Sequence, residues 1–173
     1  DICPINIVFN YLSREMELQY DDKGHIASTG KLNEDLYNCL QTLNYYKLDP
    51  PKSLGIEWVN DQIHSILKNF NNVPIKDLMN TFSNHFAFQI AKNIGEQDHV
   101  LITGGGAYNN YLIEGIKNLT NSKITIPDSE IIEYKEALIF SFLGLLRVLE
   151  ISNCYSSVTG AKKDHCSGKI YNP

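Results

Sequence analysis

The sequence predicts a helix-rich α/β fold organised around one short parallel βαβ unit, on three observations. Most of the chain repeats its apolar residues at helical spacing, the apolar run Val100-Leu101-Ile102 stops on Gly104, Gly105 and Gly106, and a second short run, Lys123 to Ile126, closes on Pro127. Strand, glycines, helix and strand in that order make a βαβ unit with a right-handed crossover.

The first helix opens at Pro4, carries Ile5, Val8, Phe9, Leu12 and Met16 as its stripe, and ends by Tyr20. Asp21 to Gly24 then form a polar turn and His25 to Lys31 a loop. A short helix runs from Asn33, its cap, to Leu43, before Asp49, Pro50 and Pro51 break the chain. A third helix spans Glu57 to Phe70, and a fourth runs from Pro74 to Ile94 with Leu78, Met79, Phe82 and Phe86 on its stripe. After the first strand comes a helix at Asn109 to Leu119, and after the second a long helix at Ser129 to Ile151. Its segment Ala137 to Leu146 has almost no polar break but is shorter than the ~20 residues that span a bilayer, so it is expected in buried core. The tail from Ser152 is loop-like, with one candidate strand at Lys169 to Tyr171.

A parallel sheet of two strands rarely stands alone, because its apolar strands need neighbours and covering layers. Either further strands lie near the chain ends, or the sheet is completed by strands upstream of Asp1.

With 43% hydrophobic and 20% charged residues the chain is a packed globule rather than a disordered segment. Its 15 basic against 20 acidic side chains give a net charge of −5, which disfavours a nucleic-acid partner in the absence of a basic patch. Cys3, Cys39, Cys154 and Cys166 form no Cys-x-x-Cys pair, so reduced thiols of a cytoplasmic protein are expected, with neither zinc site nor disulfide framework.

Among groups that could carry chemistry, Gly104, Gly105 and Gly106 with Asn109 stand where a strand meets a helix, a place where backbone N–H groups can cradle an anion or nucleotide. The spacing is neither the Rossmann nor the P-loop pattern, and a tight turn without ligand accounts for it equally. Asp1, just ahead of a helix start, can be a general base, a metal ligand or a capping group. Ser53 and Glu57 read as an approximate capping box. Glu136 sits on the otherwise apolar last helix, where a carboxylate should face a cleft or find a partner, unless it is a first-turn acid favoured by the dipole. Cys3 could have a lowered pKa beside a helix N-terminus, but lacks an evident partner and reads as a structural thiol. The five histidines do not cluster, and His85 beside Phe86 reads as a satisfied core residue.

Taken in order, these segments resemble the C-terminal half of the anhydro-N-acetylmuramic acid kinases, of the superfamily of actin, hexokinase and the heat-shock ATPases. The family's Asp-Thr-Gly-Pro-Gly-Asn motif is similar to Asp1-Ile2-Cys3-Pro4-Ile5-Asn6, and its Pro-Lys-Ser-Thr-Gly-Arg-Glu motif to Pro51-Lys52-Ser53-Leu54-Gly55-Ile56-Glu57. Gly-Gly-Gly-x-x-Asn is intact at Gly104 to Asn109, Glu-Ala-Leu-x-Phe at Glu136 to Phe140, and Ser-Val-Thr-Gly-Ala at Ser157 to Ala161.

The resemblance implies a ribonuclease-H-like, actin-like ATPase lobe, with ATP and Mg²⁺ in a cleft between two lobes. It further implies a kinase that opens the 1,6-anhydro ring of anhydro-N-acetylmuramic acid with water and phosphorylates O6, in recycling peptidoglycan. Asp1 would be the general base, Gly104, Gly105, Gly106 and Asn109 would line the nucleotide, and Glu136 would face the sugar. The chain would be the second of two lobes, lacking the first lobe and the first strands of its own sheet, and alone it would phosphorylate nothing. The phosphates would then be gripped from this side by backbone N–H groups and Mg²⁺, with no membrane partner. A catalytically inactive nucleotide- or sugar-binding regulatory module is the alternative, favoured by the lost glycines around Asp1 and the missing arginine at Ile56. A scaffold or homodimer built on the apolar last helix is a third.

Overall fold

The computed structural model describes residues 1–49 and 51–171, and divides into two compact units, Asp1–Pro127 and Asp128–Pro173. Pro50, expected to help break the chain, lies outside the described residues.

In the first unit, helix α6 (Ile75–Ala91) is the centre of the core. Leu78, Met79, Phe82 and Phe86 recur at three- and four-residue steps, and the last three are fully buried. Around it pack α1 (Ile5–Arg14), α2 (His25–Thr29), α3 (Glu34–Gln41) and α7 (Asn110–Asn118). Phe9 meets Phe86 edge-on at 5.7 Å between ring centres, so α1 is locked to α6 by an aromatic pair.

Several elements differ from the sequence reading. Helix α1 stops at Arg14, because Ser13 O accepts the N–H groups of Met16 and Leu18 and Glu17 turns left-handed at φ 60°. Met16 therefore falls outside the stripe, 40% exposed. The segment expected to be a loop after Gly24 contains α2, because the Asp21 carboxylate accepts the N–H groups of Ile26 (2.8 Å) and Ala27 (3.0 Å). The third helix is three pieces, α4 (Ile56–Trp58), a π-helical turn (Val59–Ile63) and α5 (His64–Asn69). Its N-cap is Gly55 without a side-chain bond, so the Ser53 capping box does not form.

Strands β1 (His99–Leu101) and β2 (Lys123–Thr125) pair in parallel, His99 with Lys123, Val100 with Ile124 and Leu101 with Thr125. An apolar parallel strand calls for cover on both faces, yet Leu101 is 58% exposed in a sheet that has two strands among the described residues. The candidate strand at Lys169 to Tyr171 does not form. The Lys169 ammonium instead lies over the Tyr171 ring at 4.7 Å.

The second unit consists of α8 (Ser129–Val148), α9 (Ser156–Thr159) and a short antiparallel bridge between Cys154 and His165. The apolar helix expected in buried core is exposed, with Leu138, Phe140, Phe142 and Val148 each more than half accessible and Ile132 the one buried residue on it. Apolar side chains occupy every face of this helix, and a unit this small has no core to cover them. No described helix is long and apolar enough to cross a membrane.

His85 is fully buried but not satisfied. Tyr46 (4.7 Å), Tyr37 (6.1 Å) and Phe86 (5.8 Å) surround its ring, and neither ring nitrogen has a hydrogen-bond partner. Burial lowers its pKa from 6.5 to about 4. The unfolded chain takes up this proton near the ordinary value while the folded chain resists it, so stability falls as pH drops through that interval. Between about pH 7 and about pH 5 the loss should be about 2 kcal/mol. A His85→Leu variant followed by urea unfolding at both pH values should show that part of the acid sensitivity removed.

Candidate functional site

Two segments far apart in sequence meet at the start of α1. Asn6 and Asn10, one helical turn apart, face the glycine turn at residues 104–106, where a Cβ on Gly105 would lie 3.6 Å from Asn6 Nδ2 and one on Gly106 3.9 Å from Asn6 Oδ1. Gly104 has φ 80°, a conformation costly for any other residue, and a tight 3₁₀ turn (Gly105–Tyr108) follows it. The glycines therefore leave room beside the asparagine amides.

A cleft of about 430 Å³ opens there, lined by Asn6, Asn10, Lys23, Gly105, Tyr108 and Asn109 together with Phe9, Tyr20, Asp21 and Asp22. Its volume lies in the range of small-molecule sites, roughly 300–1,000 Å³. The 21–24 turn forms one wall through two left-handed residues, Lys23 (φ 56°) and Gly24 (φ 74°). Lys23 puts a basic side chain on the rim, so the expectation of backbone groups alone misses a cation that the Asp-Asp-Lys-Gly turn could have signalled. Asn10 and Tyr108 were missed too, because neither stands out until the helix and the glycine turn meet.

Asn109 is first a helix cap. Its Oδ1 accepts the Leu112 N–H at 3.0 Å, so one of the free N–H groups expected for an anion cradle is already engaged. Asn80 Nδ2 donates to the carbonyls of Ala27 and Gly30 at 3.0 Å and to the Tyr111 hydroxyl at 2.8 Å, tying α2, α6 and α7 together.

Asp1 is not among the cleft's lining residues; the 51–57 loop holds it. Its Oδ2 accepts the Leu54 N–H at 2.8 Å, its backbone nitrogen donates to Lys52 O at 2.9 Å, and its carbonyl accepts the Tyr45 hydroxyl at 2.6 Å. Asp1 therefore caps no helix; Pro4 is the cap of α1. One carboxylate oxygen is fixed and the other has no hydrogen bond among the described residues, the arrangement a general base needs. Nearby, burial pushes the Cys3 thiol up to about 12, so it is the structural thiol rather than a reactive one.

Glu136 belongs to the second unit, exposed on α8 and beyond its first turn, so the dipole reading does not apply. Residues 157–161 form α9 and its end, where Gly160 turns left-handed at φ 72°. The Asp164 carboxylate accepts the Ser156 N–H (2.7 Å) and hydroxyl (2.6 Å), and these bonds hold it below the usual carboxylate range.

Among the described residues no three His, Cys, Asp or Glu side chains group to hold a metal. Of the cleft's two aspartates, Asp21 already has both oxygens engaged by backbone N–H groups.

The family whose sequence pattern matches is described as anhydro-N-acetylmuramic acid kinase, and the match runs over residues 1–173. The chain belongs to the anhydro-N-acetylmuramic acid kinase family. Curated relatives carrying that name include proteins of Francisella tularensis subsp. novicida (33% identical, covering 98% of this chain and 48% of the relative) and Saccharophagus degradans (30% identical, 100% and 49%). A Bacillus cereus relative is 28% identical over 100% of the chain and 49% of its own length. The chain spans about half the length of the curated relatives it matches.

Proposed function

We propose that these residues form one side of the reaction centre of an ATP-dependent kinase that opens the 1,6-anhydro ring of anhydro-N-acetylmuramic acid and phosphorylates O6, in cytoplasmic recycling of peptidoglycan. The observation that carries this reading is the meeting of Asn6, from the Asp1-to-Asn6 motif, with Gly105 across a single cleft. Two motifs of a kinase family that converge in space support a shared ligand; separated, they would support only two turns.

In this reading the free oxygen of Asp1 takes a proton from water as its oxygen bonds to the anomeric carbon. The anomeric carbon–O6 bond breaks, and O6 takes the γ-phosphoryl group of ATP, releasing ADP. Gly104, Gly105, Gly106 and Asn109 line the nucleotide side, Lys23 faces its charge, and Glu136 faces the sugar. The other lobe and the missing sheet strands come from further chain, in keeping with relatives twice as long and with the uncovered β1–β2 sheet.

A regulatory module that binds without turnover is the second reading, favoured by Ile56, 49% exposed where the family motif has arginine. Calorimetric titration of the protein in its full reading frame with ATP and the anhydro sugar, paired with product detection, separates the two. Binding with sugar phosphate supports the kinase, binding without product supports the module, and no binding overturns both.

A further inference from the structure

We propose that Tyr45 and Lys52 are positioning residues for Asp1, clamping the segment that aims its carboxylate; the proposal rests on reading Asp1 as the base. Asp1 is exposed and precedes α1, so no helix holds it. Among the described residues, the hydrogen bonds to its backbone and carboxylate come from Tyr45, Lys52 and Leu54.

Tyr45 suits the task because its body is rigid. The ring is 5% exposed and wedged between Tyr46, edge-on at 5.5 Å, and Trp58 at 5.2 Å, so its hydroxyl meets the Asp1 carbonyl from a fixed stem. Burial also raises its pKa, which keeps the hydroxyl protonated as a donor.

Lys52 closes the clamp. Its ammonium donates to the carbonyls of Tyr45 (3.2 Å) and Leu48 (3.0 Å) and lies 4.9 Å from the centre of the Tyr45 ring, while its own carbonyl accepts from the Asp1 backbone nitrogen. The lysine of the Pro-Lys-Ser motif thus turns back onto its own loop instead of reaching for a phosphate. Two residues later, Leu54 donates its N–H to the carboxylate itself. Tyr45, Lys52 and Leu54 form one device that fixes a single oxygen of Asp1 and leaves the other for a proton.

The test reads the Leu54 amide by nitrogen-15 NMR of the protein in its full reading frame. In the wild type this resonance should move as Asp1 titrates, and an Asp1→Asn control should abolish the movement. Tyr45→Phe, which removes one hydroxyl, should lose it while amides around Phe82 and Phe86 keep their positions. Lys52→Met should do the same and Lys52→Arg should restore it, which also covers the case in which Tyr45→Phe fails to fold. In the full reading frame, Tyr45→Phe should lower kcat about 10-fold with KM little changed, as expected when a catalytic group is misplaced rather than removed. An unaltered Leu54 titration in Tyr45→Phe and Lys52→Met overturns the clamp. A lost titration with unaltered kcat leaves the clamp standing and removes Asp1 from the role of base.

Discussion

Asp1→Asn in the full reading frame should reduce turnover of the anhydro sugar by roughly 10²–10⁴-fold while leaving ATP affinity close to wild type. The substitution is nearly isosteric and keeps an oxygen for the Leu54 N–H, so what it removes is the ability of the second oxygen to take a proton from water. Because Asp1 lies outside the cleft lined by Gly105 and Asn109, nucleotide binding should be insulated from the change. Single-turnover kinetics with a separate measurement of ATP binding checks both halves. Loss of affinity equal to the loss of rate would place Asp1 in ligand binding instead.

Gly24→Ala should be the most damaging single methyl addition near the cleft. A Cβ there would penetrate the contact shell of Asn109 Oδ1 and lie 2.8 Å from Tyr111 Cβ, and φ 74° already penalises any L side chain. Asn109 cannot swing aside freely, because the same oxygen caps α7 through Leu112. Backbone strain, overpacking and a weakened cap together should cost about 3 kcal/mol, or roughly 10 °C in melting temperature for a chain of this size. Asn109→Ala alone should cost about 1 kcal/mol. The double variant should cost less than the sum, because the clash partner is gone; thermal melts of the three variants check the coupling.

Much of this architecture is legible in the residues. The α6 stripe, the parallel strand pair and the Asn33 cap follow from local spacing and capping chemistry, and the structure contains them. What escaped depends on partners that sequence does not place side by side. Helix α2 starts on the Asp21 carboxylate, which looks like an ordinary turn residue until it bends onto Ile26 and Ala27. Lys23 joins the cleft only because a left-handed backbone turns it there. Helix α8 misled for the opposite reason: its composition announces burial, but Leu138, Phe140, Phe142 and Val148 are exposed. The Leu101 face of the sheet carries the same message. Within the site, resemblance pointed to Asp1 and to the glycines, while the clamp from Tyr45 and Lys52 required coordinates, since neither residue's hydrogen bonds can be read from its neighbours.

As proposed, these 173 residues hold the Asp1 and glycine-turn side of a kinase centre that further chain completes. The most direct measurement is a side-by-side turnover assay with ATP and the anhydro sugar, using this chain alone and the protein in its full reading frame. The account predicts ring-opened sugar phosphate and ADP from the full protein and none from the chain alone. Comparable turnover by the isolated chain would contradict it.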